Sequence, residues 1–213
     1  MPLIKTPRLE MFVEERGVGS PVLFVSGTGA DLRVKPNVLD GPLAKSFRVI
    51  AYDQRGLGQT QKPLGPYEME DYSKDAIALL DKLDIENIHL VGVSFGGMVA
   101  LHVALQYPER ITKVVLCCTS PGGDFASFPF HDLPDDQTAT ERAMQLMEFN
   151  DLRHTRTWQK DNATSVDAMI KVMNSRLIKD HATPEFKRGY REQIQARSHH
   201  DVVADLDKIK SPT

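Results

Sequence analysis

Four short apolar runs recur along the first half of the chain, and each gives way to glycine or polar residues. The runs are Pro21–Ser26, Phe47–Tyr52, Ile88–Val93 and Lys113–Cys118. Nearly continuous apolar runs of this length are typical of strands buried on both faces of a parallel sheet. The pattern therefore predicts four parallel strands.

Helical spacing of apolar residues appears between these runs. Asp71–Leu83 carries apolar residues three and four positions apart, and Gly97–Gln106 is apolar and ends before Pro108. The order strand, strand, helix, strand, helix, strand predicts an α/β fold, a mostly parallel sheet flanked by helices. Arg8–Arg16 alternates loosely between apolar and polar residues, and we expect it to add antiparallel edge strands.

The pattern changes after Gly123, where helical segments follow one another without strands. Helices are predicted at 135–149, 165–177 and 184–196. We interpret this block as a helical cap inserted into the α/β core. The predicted division is 1–122 for the core, 123–198 for the cap and 199–213 for the return to the core.

The return segment is expected to hold a helix at 201–210 and then a turn that leads into a further strand. We therefore expect the fold to be truncated before its last strands, with Lys113–Cys118 as an open edge of the sheet. An open apolar edge favours self-association or pairing with a complementary C-terminal segment.

Methionines recur at near-helical spacing in the predicted cap, at positions 144, 147, 169 and 173. An apolar stripe of this kind usually packs a helix against its neighbours, so we expect these side chains to pack the cap on the core. The alternative is that some of them line a pocket between cap and core.

The composition is that of an ordinary globular protein, with 213 residues, 41% of them hydrophobic, and a net charge of −3. This charge gives no basis for binding nucleic acid, and no apolar run approaches the ~20 residues of a membrane span. The first residues lack the apolar core of a signal peptide, so a cytoplasmic location is expected. Cys117 and Cys118 are strand neighbours that point to opposite faces, which makes them poor disulfide partners.

Ser94 lies in the sequence Gly92-Val93-Ser94-Phe95-Gly96, between a predicted strand and a predicted helix. This is the setting of a nucleophile elbow, a sharp turn that exposes a serine hydroxyl. The close neighbours of such a serine must lack side chains, and Gly92 and Gly96 meet that need. The N-terminus of the following helix favours negative charge that develops at the serine.

A second glycine-rich turn, Ser26-Gly27-Thr28-Gly29, follows the first parallel strand. Acyl transfer requires two hydrogen-bond donors aimed at the oxyanion of the tetrahedral intermediate. We expect the backbone N–H of Phe95 to be one donor and the backbone N–H of Thr28 to be the other. The alternative for Thr28 is a plain glycine-rich turn with no such role.

Three motifs follow one another in the chain: Gly27–Gly29, Asp53–Gly58 and Gly92–Gly97. In this order they resemble the α/β-hydrolase superfamily, and the chain looks most like its small capped members, the enol-lactonase-like and haloperoxidase-like esterases. Members often have His-Gly where this chain has Ser26-Gly27, which alters side-chain bonding in the loop but not its backbone donors. The resemblance also implies that Asp53 and Arg55 mainly tie down a turn.

A serine nucleophile needs a histidine base and an orienting acid. In the superfamily the acid follows the strand after the cap and the histidine follows the last strand. Both residues are therefore expected beyond Thr213, and neither is assigned. Asp124 stands where some relatives place the acid and is a weak candidate. Each of the seven histidines is expected to be a surface or packing residue.

These features predict an enzyme, a serine hydrolase that forms an acyl-enzyme on Ser94 from a small carboxylic ester, lactone or thioester. No cofactor and no metal are expected. Carbon–carbon bond hydrolases and cofactor-free peroxidases of the superfamily use a similar constellation and stay open as alternatives. A hydrolase-fold protein that binds a small ligand without catalysis is the other alternative. Dehalogenases and epoxide hydrolases are disfavoured because those relatives have aspartate in the place of Ser94.

Overall fold

The computed structural model describes residues 3–133, 137–175 and 178–213. Within these residues, six strands form one sheet: β1 (Leu3–Lys5), β2 (Glu10–Arg16), β3 (Pro21–Val25), β4 (Arg48–Tyr52), β5 (Ile88–Val93) and β6 (Ile111–Cys117). Their order across the sheet is β1-β2-β4-β3-β5-β6.

The four strands β3 to β6 run parallel, and β1 and β2 pair antiparallel at one side. Leu23 stands opposite Ile50 on one neighbouring strand and Leu90 on the other, and all three side chains are fully buried. The structure therefore confirms the α/β fold with a mostly parallel sheet, and it confirms an antiparallel edge in the Arg8–Arg16 region.

Two helices, α1 (Met69–Lys82) and α2 (Phe95–Gln106), complete the core. Helix α1 buries one apolar face, whereas α2 is buried along nearly its whole length, as its uniformly apolar sequence requires. The rings of Tyr72 on α1 and Phe95 on α2 meet edge to face with centroids 4.9 Å apart. This contact fixes the start of α2, where the candidate nucleophile lies.

Four further helices follow: α3 (Ala139–Asn150), α4 (Arg156–Asp161), α5 (Ala163–Ser175) and α6 (Pro184–Ala196). Helix α6 has the predicted bounds, and the ends of α3 and α5 lie within four residues of the predicted ones. The predicted residues 135, 136, 176 and 177 lie outside the described ranges. Helix α4 was not predicted, because its six residues show no helical spacing of apolar side chains. No helix in the described ranges combines the length and apolar character that a bilayer crossing requires.

The chain divides into two compact units. One contains the described residues up to His131 together with Asp180–Thr213, and the other contains Asp132–Lys179. Helix α6 therefore groups with the sheet rather than with the other helices of the predicted cap. The division at residues 122 and 198 stays a prediction.

Inside the second unit, methionines line a cavity of about 420 Å³. Three of the four methionines in the predicted stripe, Met147, Met169 and Met173, contribute to its wall beside Asp151 and His154. These side chains thus face a space within the helical unit, and their packing on the sheet stays a prediction.

The last residues lie along the outer strand β6. The segment predicted as a helix at 201–210 is a shorter 3₁₀ helix, Val203–Lys208, in a run rich in aspartate, which disfavours regular helix. Beyond it, the backbone N–H of Val114 donates to the carbonyl of Pro212 at 2.9 Å, and the hydroxyl of Ser211 donates to the carbonyl of Ile111 at 3.2 Å. The β6 edge, expected to be open, is thus partly covered by residues 211 and 212.

Candidate active site

Ser94 occupies the turn between β5 and α2 with φ +54° and ψ −119°. A serine in this region of backbone space is strained, so the surrounding structure must hold it there. Its N–H donates to the carbonyl of Cys117 at 2.8 Å, and its own carbonyl accepts from the hydroxyl of Thr119 at 2.8 Å. Residues at the end of β6 therefore fasten the turn on both sides of Ser94.

The glycines around Ser94 are required by close packing. A Cβ on Gly92 would overlap the backbone of Gly96, and a Cβ on Gly96 would overlap the carbonyl oxygen of Val25. A Cβ on Gly97 would lie 2.5 Å from the Cβ of Thr119. The spacing of glycines in the sequence thus reflects backbone crowding between β5, α2 and their neighbours.

The loop after β3 lies directly against Ser94. A Cβ on Gly27 would lie 3.4 Å from the Cβ of Ser94 and 4.0 Å from its Oγ. Phe95, buried at the start of α2, and Thr28 in the loop carry the two predicted oxyanion donors. Across the described ranges, neither backbone N–H has a protein acceptor. Both N–H groups therefore lack a partner within the described residues, which is compatible with the predicted donor role.

Two buried glutamines hold the loop after β3 in place. The Nε2 of Gln54 donates to the carbonyl of Ser26 at 2.7 Å. The Oε1 of Gln193, on α6, accepts from the N–H of Gly29 at 2.9 Å. Both side chains are at most 1% exposed. Sequence reasoning missed them, because nothing in the local pattern distinguishes a buried glutamine from an exposed one.

The Asp53–Gly58 turn is held by its own acidic and basic side chains. The carboxylate of Asp53 accepts from the N–H groups of Leu32 and Gln59, each at 2.8 Å, and burial raises its pKa to about 6. The guanidinium of Arg55 forms a paired ion contact with Asp75 at 2.6 and 2.9 Å. These bonds confirm the prediction that Asp53 and Arg55 tie down the turn.

The acid candidate Asp124 lies in an exposed 3₁₀ turn, Gly123–Phe125, after β6. In the part of the chain that the structure describes, its carboxylate makes no hydrogen bond or ion pair, and no histidine bonds to the Oγ of Ser94. Hydrogen-bond partners of the histidines include Thr112 for His89, His200 for His102 and Asp31 for His181. The structure thus brings the Ser94 turn and the loop after β3 together, and within the described residues no histidine reaches the Ser94 hydroxyl.

A comparison with known protein families agrees with this geometry. A family model for the α/β hydrolase fold matches residues 20–199, which is most of the chain. The chain therefore belongs to the α/β-hydrolase fold family, in agreement with the resemblance carried by its three motifs.

Named relatives support the same assignment over part of their length. The 2-hydroxymuconate semialdehyde hydrolase of Pseudomonas sp. (strain CF600) is 37% identical over 120 residues, 55% of this chain and 41% of that protein. The poly(3-hydroxyalkanoate) depolymerase of Ectopseudomonas oleovorans is 36% identical over 103 residues, 48% of this chain and 36% of that protein. The matches thus span about two fifths of these relatives.

Solved structures agree on the fold. A meta-cleavage product hydrolase from Pseudomonas fluorescens IP01, solved as a point mutant, superposes with a TM-score of 0.73 at 22% identity. The superposition covers 98% of this chain and 75% of that one. At this identity the likeness establishes the shared fold alone.

Proposed function

We propose that this protein is a serine hydrolase that cleaves a small carboxylic ester, lactone or thioester through an acyl-enzyme on Ser94. The observation that carries the proposal is the strained Ser94 turn beside a loop whose Gly27 leaves no side chain between them. A held strained turn of this kind serves to present a nucleophile rather than to stabilise the fold. The depolymerase relative acts, by its name, on a polyester, which supports ester chemistry.

In the proposed reaction the Oγ of Ser94 attacks the carbonyl carbon of the substrate. The oxygen of that carbonyl becomes an oxyanion, which the backbone N–H groups of Phe95 and Thr28 stabilise. A base takes the Ser94 hydroxyl proton, and when the carbonyl re-forms and the C–O or C–S bond breaks, this proton passes to the departing oxygen or sulfur. Water then gives a proton to the same base and attacks the acyl-enzyme. The acid is released, and the proton returns to the Oγ of Ser94. Asp124 is the acid candidate within these residues, and the base is left unassigned.

An active-site probe tests the proposal in the natural full-length protein. A fluorophosphonate should label it covalently, and Ser94→Ala should abolish the labelling. Ser46→Ala, at an exposed serine, is the matched control and should label as the unmodified protein does. If the folded natural protein is not labelled at all, the proposal is wrong and a ligand-binding protein without catalysis becomes the better interpretation.

Carbon–carbon bond hydrolysis is the second candidate, and the name of a relative favours it. 2-Hydroxymuconate semialdehyde contains no ester, so a hydrolase acting on it breaks a carbon–carbon bond. Incubation with that compound and with a p-nitrophenyl ester separates the candidates. Faster, Ser94-dependent loss of the dienol absorbance supports the second candidate, whereas faster p-nitrophenol release supports the first.

A further inference from the structure

A cavity of about 260 Å³ lies within the first unit, where the segment after β6 meets the residues that follow α6. Side chains from both segments line it, and Met98 of α2 forms part of its wall. Basic and hydroxyl side chains form much of the lining: Ser120, Ser127, His131, Arg197, Ser198, His199 and His200.

Arg197 is a buried cation in the wall of this cavity. Arg197 is 7% exposed, and its Nη2 donates to the Oγ of Ser127 at 2.5 Å and to the carbonyl of Phe128 at 3.0 Å. The guanidinium carbon lies 4.7 Å from the ring centroid of Phe130. Among the described residues, no carboxylate lies within ion-pair distance of Arg197. A buried charge without a counterion is costly, and here burial lowers its pKa.

Two hydroxyl groups extend the donor set of Arg197. The Oγ of Ser127 accepts from Arg197, and the Oγ of Ser120 accepts from the N–H of Ser127 at 3.2 Å. Each oxygen serves as an acceptor, so each hydroxyl proton is still available to donate. Over the described ranges neither proton has a protein acceptor. The guanidinium and the two hydroxyls therefore form a connected set of donors.

A pair of histidines holds the backbone at Ser120. The Nε2 of His200 lies 3.0 Å from the carbonyl of Ser120, and its Nδ1 lies 3.1 Å from the Nε2 of His102. Since a carbonyl can only accept, His200 donates to Ser120 and accepts from His102. Asp201 also lines the cavity and is exposed, and its Oδ1 accepts from the N–H of Val203 at 3.1 Å. Its carboxylate thus makes a bond of its own and forms no ion pair with Arg197.

We propose that this cavity binds a small oxyanion, a carboxylate or a phosphate, through the guanidinium of Arg197 and the hydroxyls of Ser120 and Ser127. The anion supplies the counterion that Arg197 lacks and the acceptors that both hydroxyls lack. The inference is independent of the reaction proposed at Ser94, because none of these three residues takes part in it.

Calorimetric titration with inorganic phosphate and with acetate, at constant ionic strength set by chloride, tests the proposal. Phosphate or acetate should bind the full chain at one site. The anion that binds with the higher affinity shows whether the cavity prefers a phosphate or a carboxylate. Arg197→Gln should weaken that binding about 10- to 100-fold, the range expected for lost charge-assisted bonds. Arg16→Gln, at an exposed arginine paired with Asp40, should leave the affinity unchanged.

A second variant guards against a folding defect in Arg197→Gln. Ser120→Ala with Ser127→Ala keeps the cation and removes both hydroxyl donors, and it should weaken binding about tenfold. Circular dichroism establishes which variants are folded. Absence of phosphate and acetate binding to the unmodified chain overturns the proposal. Equal affinity in the folded variants and the unmodified chain overturns it as well.

Discussion

The side-chain carbonyl of Gln193 accepts a 2.9 Å hydrogen bond from the backbone N–H of Gly29, although 164 residues separate them. The bond joins helix α6 to the loop that lies against Ser94. The ring of Tyr190, one turn earlier on α6, packs against the same glycine. A Cβ on Gly29 would lie 2.8 Å from the Cε2 of Tyr190. Helix α6 therefore helps to position the loop that carries Thr28, one of the two candidate oxyanion donors.

Replacing Gln193 with alanine should lower kcat for the proposed ester hydrolysis roughly tenfold, with a small change in KM. The reason is that displacement of the loop weakens the hydrogen bond from the Thr28 N–H to the oxyanion. Because the oxyanion forms only during the reaction, kcat is affected more than KM. Steady-state kinetics measure the effect. Gln195→Ala, an exposed glutamine on the same helix, is the control. Unchanged kcat in a folded Gln193→Ala protein would show that the loop holds its position without this bond.

Alanine at Gly27 and alanine at Gly96 should have opposite effects. The added methyl at Gly27 finds its nearest neighbour at 3.4 Å, so the fold should keep its stability within about 1 kcal/mol. The same methyl stands beside the Oγ of Ser94 and should obstruct substrate, lowering activity. At Gly96 the methyl overlaps the Val25 carbonyl, and we expect a protein that unfolds at lower temperature or does not fold. Thermal melts and activity assays on the pair check both outcomes.

Ser94→Gly should be more stable than Ser94→Ala by about 1 kcal/mol, although both lack the nucleophile. Glycine adopts φ +54° without the strain that alanine keeps, and the greater entropy of its unfolded chain offsets part of the gain. Urea unfolding of the two variants measures the difference. An alanine variant as stable as the glycine variant would mean that the turn stores no strain.

Acid should destabilise the fold through the His102–His200 pair. Burial lowers the pKa of His102 to about 4, against 6.5 for an ordinary histidine, and it lowers the pKa of His200 as well. Between pH 6.5 and 4, His102 is protonated in the unfolded chain but neutral in the folded one. The free energy of unfolding therefore decreases as the pH falls through this window. The loss from His102 is on the order of 2–3 kcal/mol.

Urea unfolding between about pH 4 and 7 measures this dependence. His102→Gln should flatten the slope, because glutamine does not titrate. His199→Gln, at an exposed histidine, should keep the slope of the unmodified protein. A slope that is the same in all three proteins would place the acid sensitivity elsewhere.

Apolar periodicity was sufficient to predict most of the fold. The strands β3 to β6 are short apolar runs, and in the structure they pair in parallel, as the runs predicted. Burial is heaviest in β3 and β4, whereas the outer strand β6 exposes Thr112, Lys113 and Val115. Helix α6 was predicted to the residue, since Thr183 and Pro184 mark its start. Helix α4 was missed because its sequence lacks the apolar repeat that marks a helix.

The candidate site was predictable only where a local motif exists. Ser94 and its glycines form such a motif, because steric crowding acts on adjacent residues. Gln54, Gln193 and Arg197 owe their burial to contacts with residues 28 to 164 positions away. Polar residues buried by distant contacts leave no periodic signal, so their roles emerge only from the folded chain.

The bridge between Gly122 and Asp201 has an evolutionary consequence. Together with the 2.8 Å bond from the N–H of Val202 to the carbonyl of Pro121, it ties the departing and returning chain together at the sheet. The intervening chain is then a closed loop, for which each doubling of length costs only about 0.6 kcal/mol. Insertions at loop positions between residues 132 and 179 should therefore be tolerated cheaply, with little effect on the turn at Ser94.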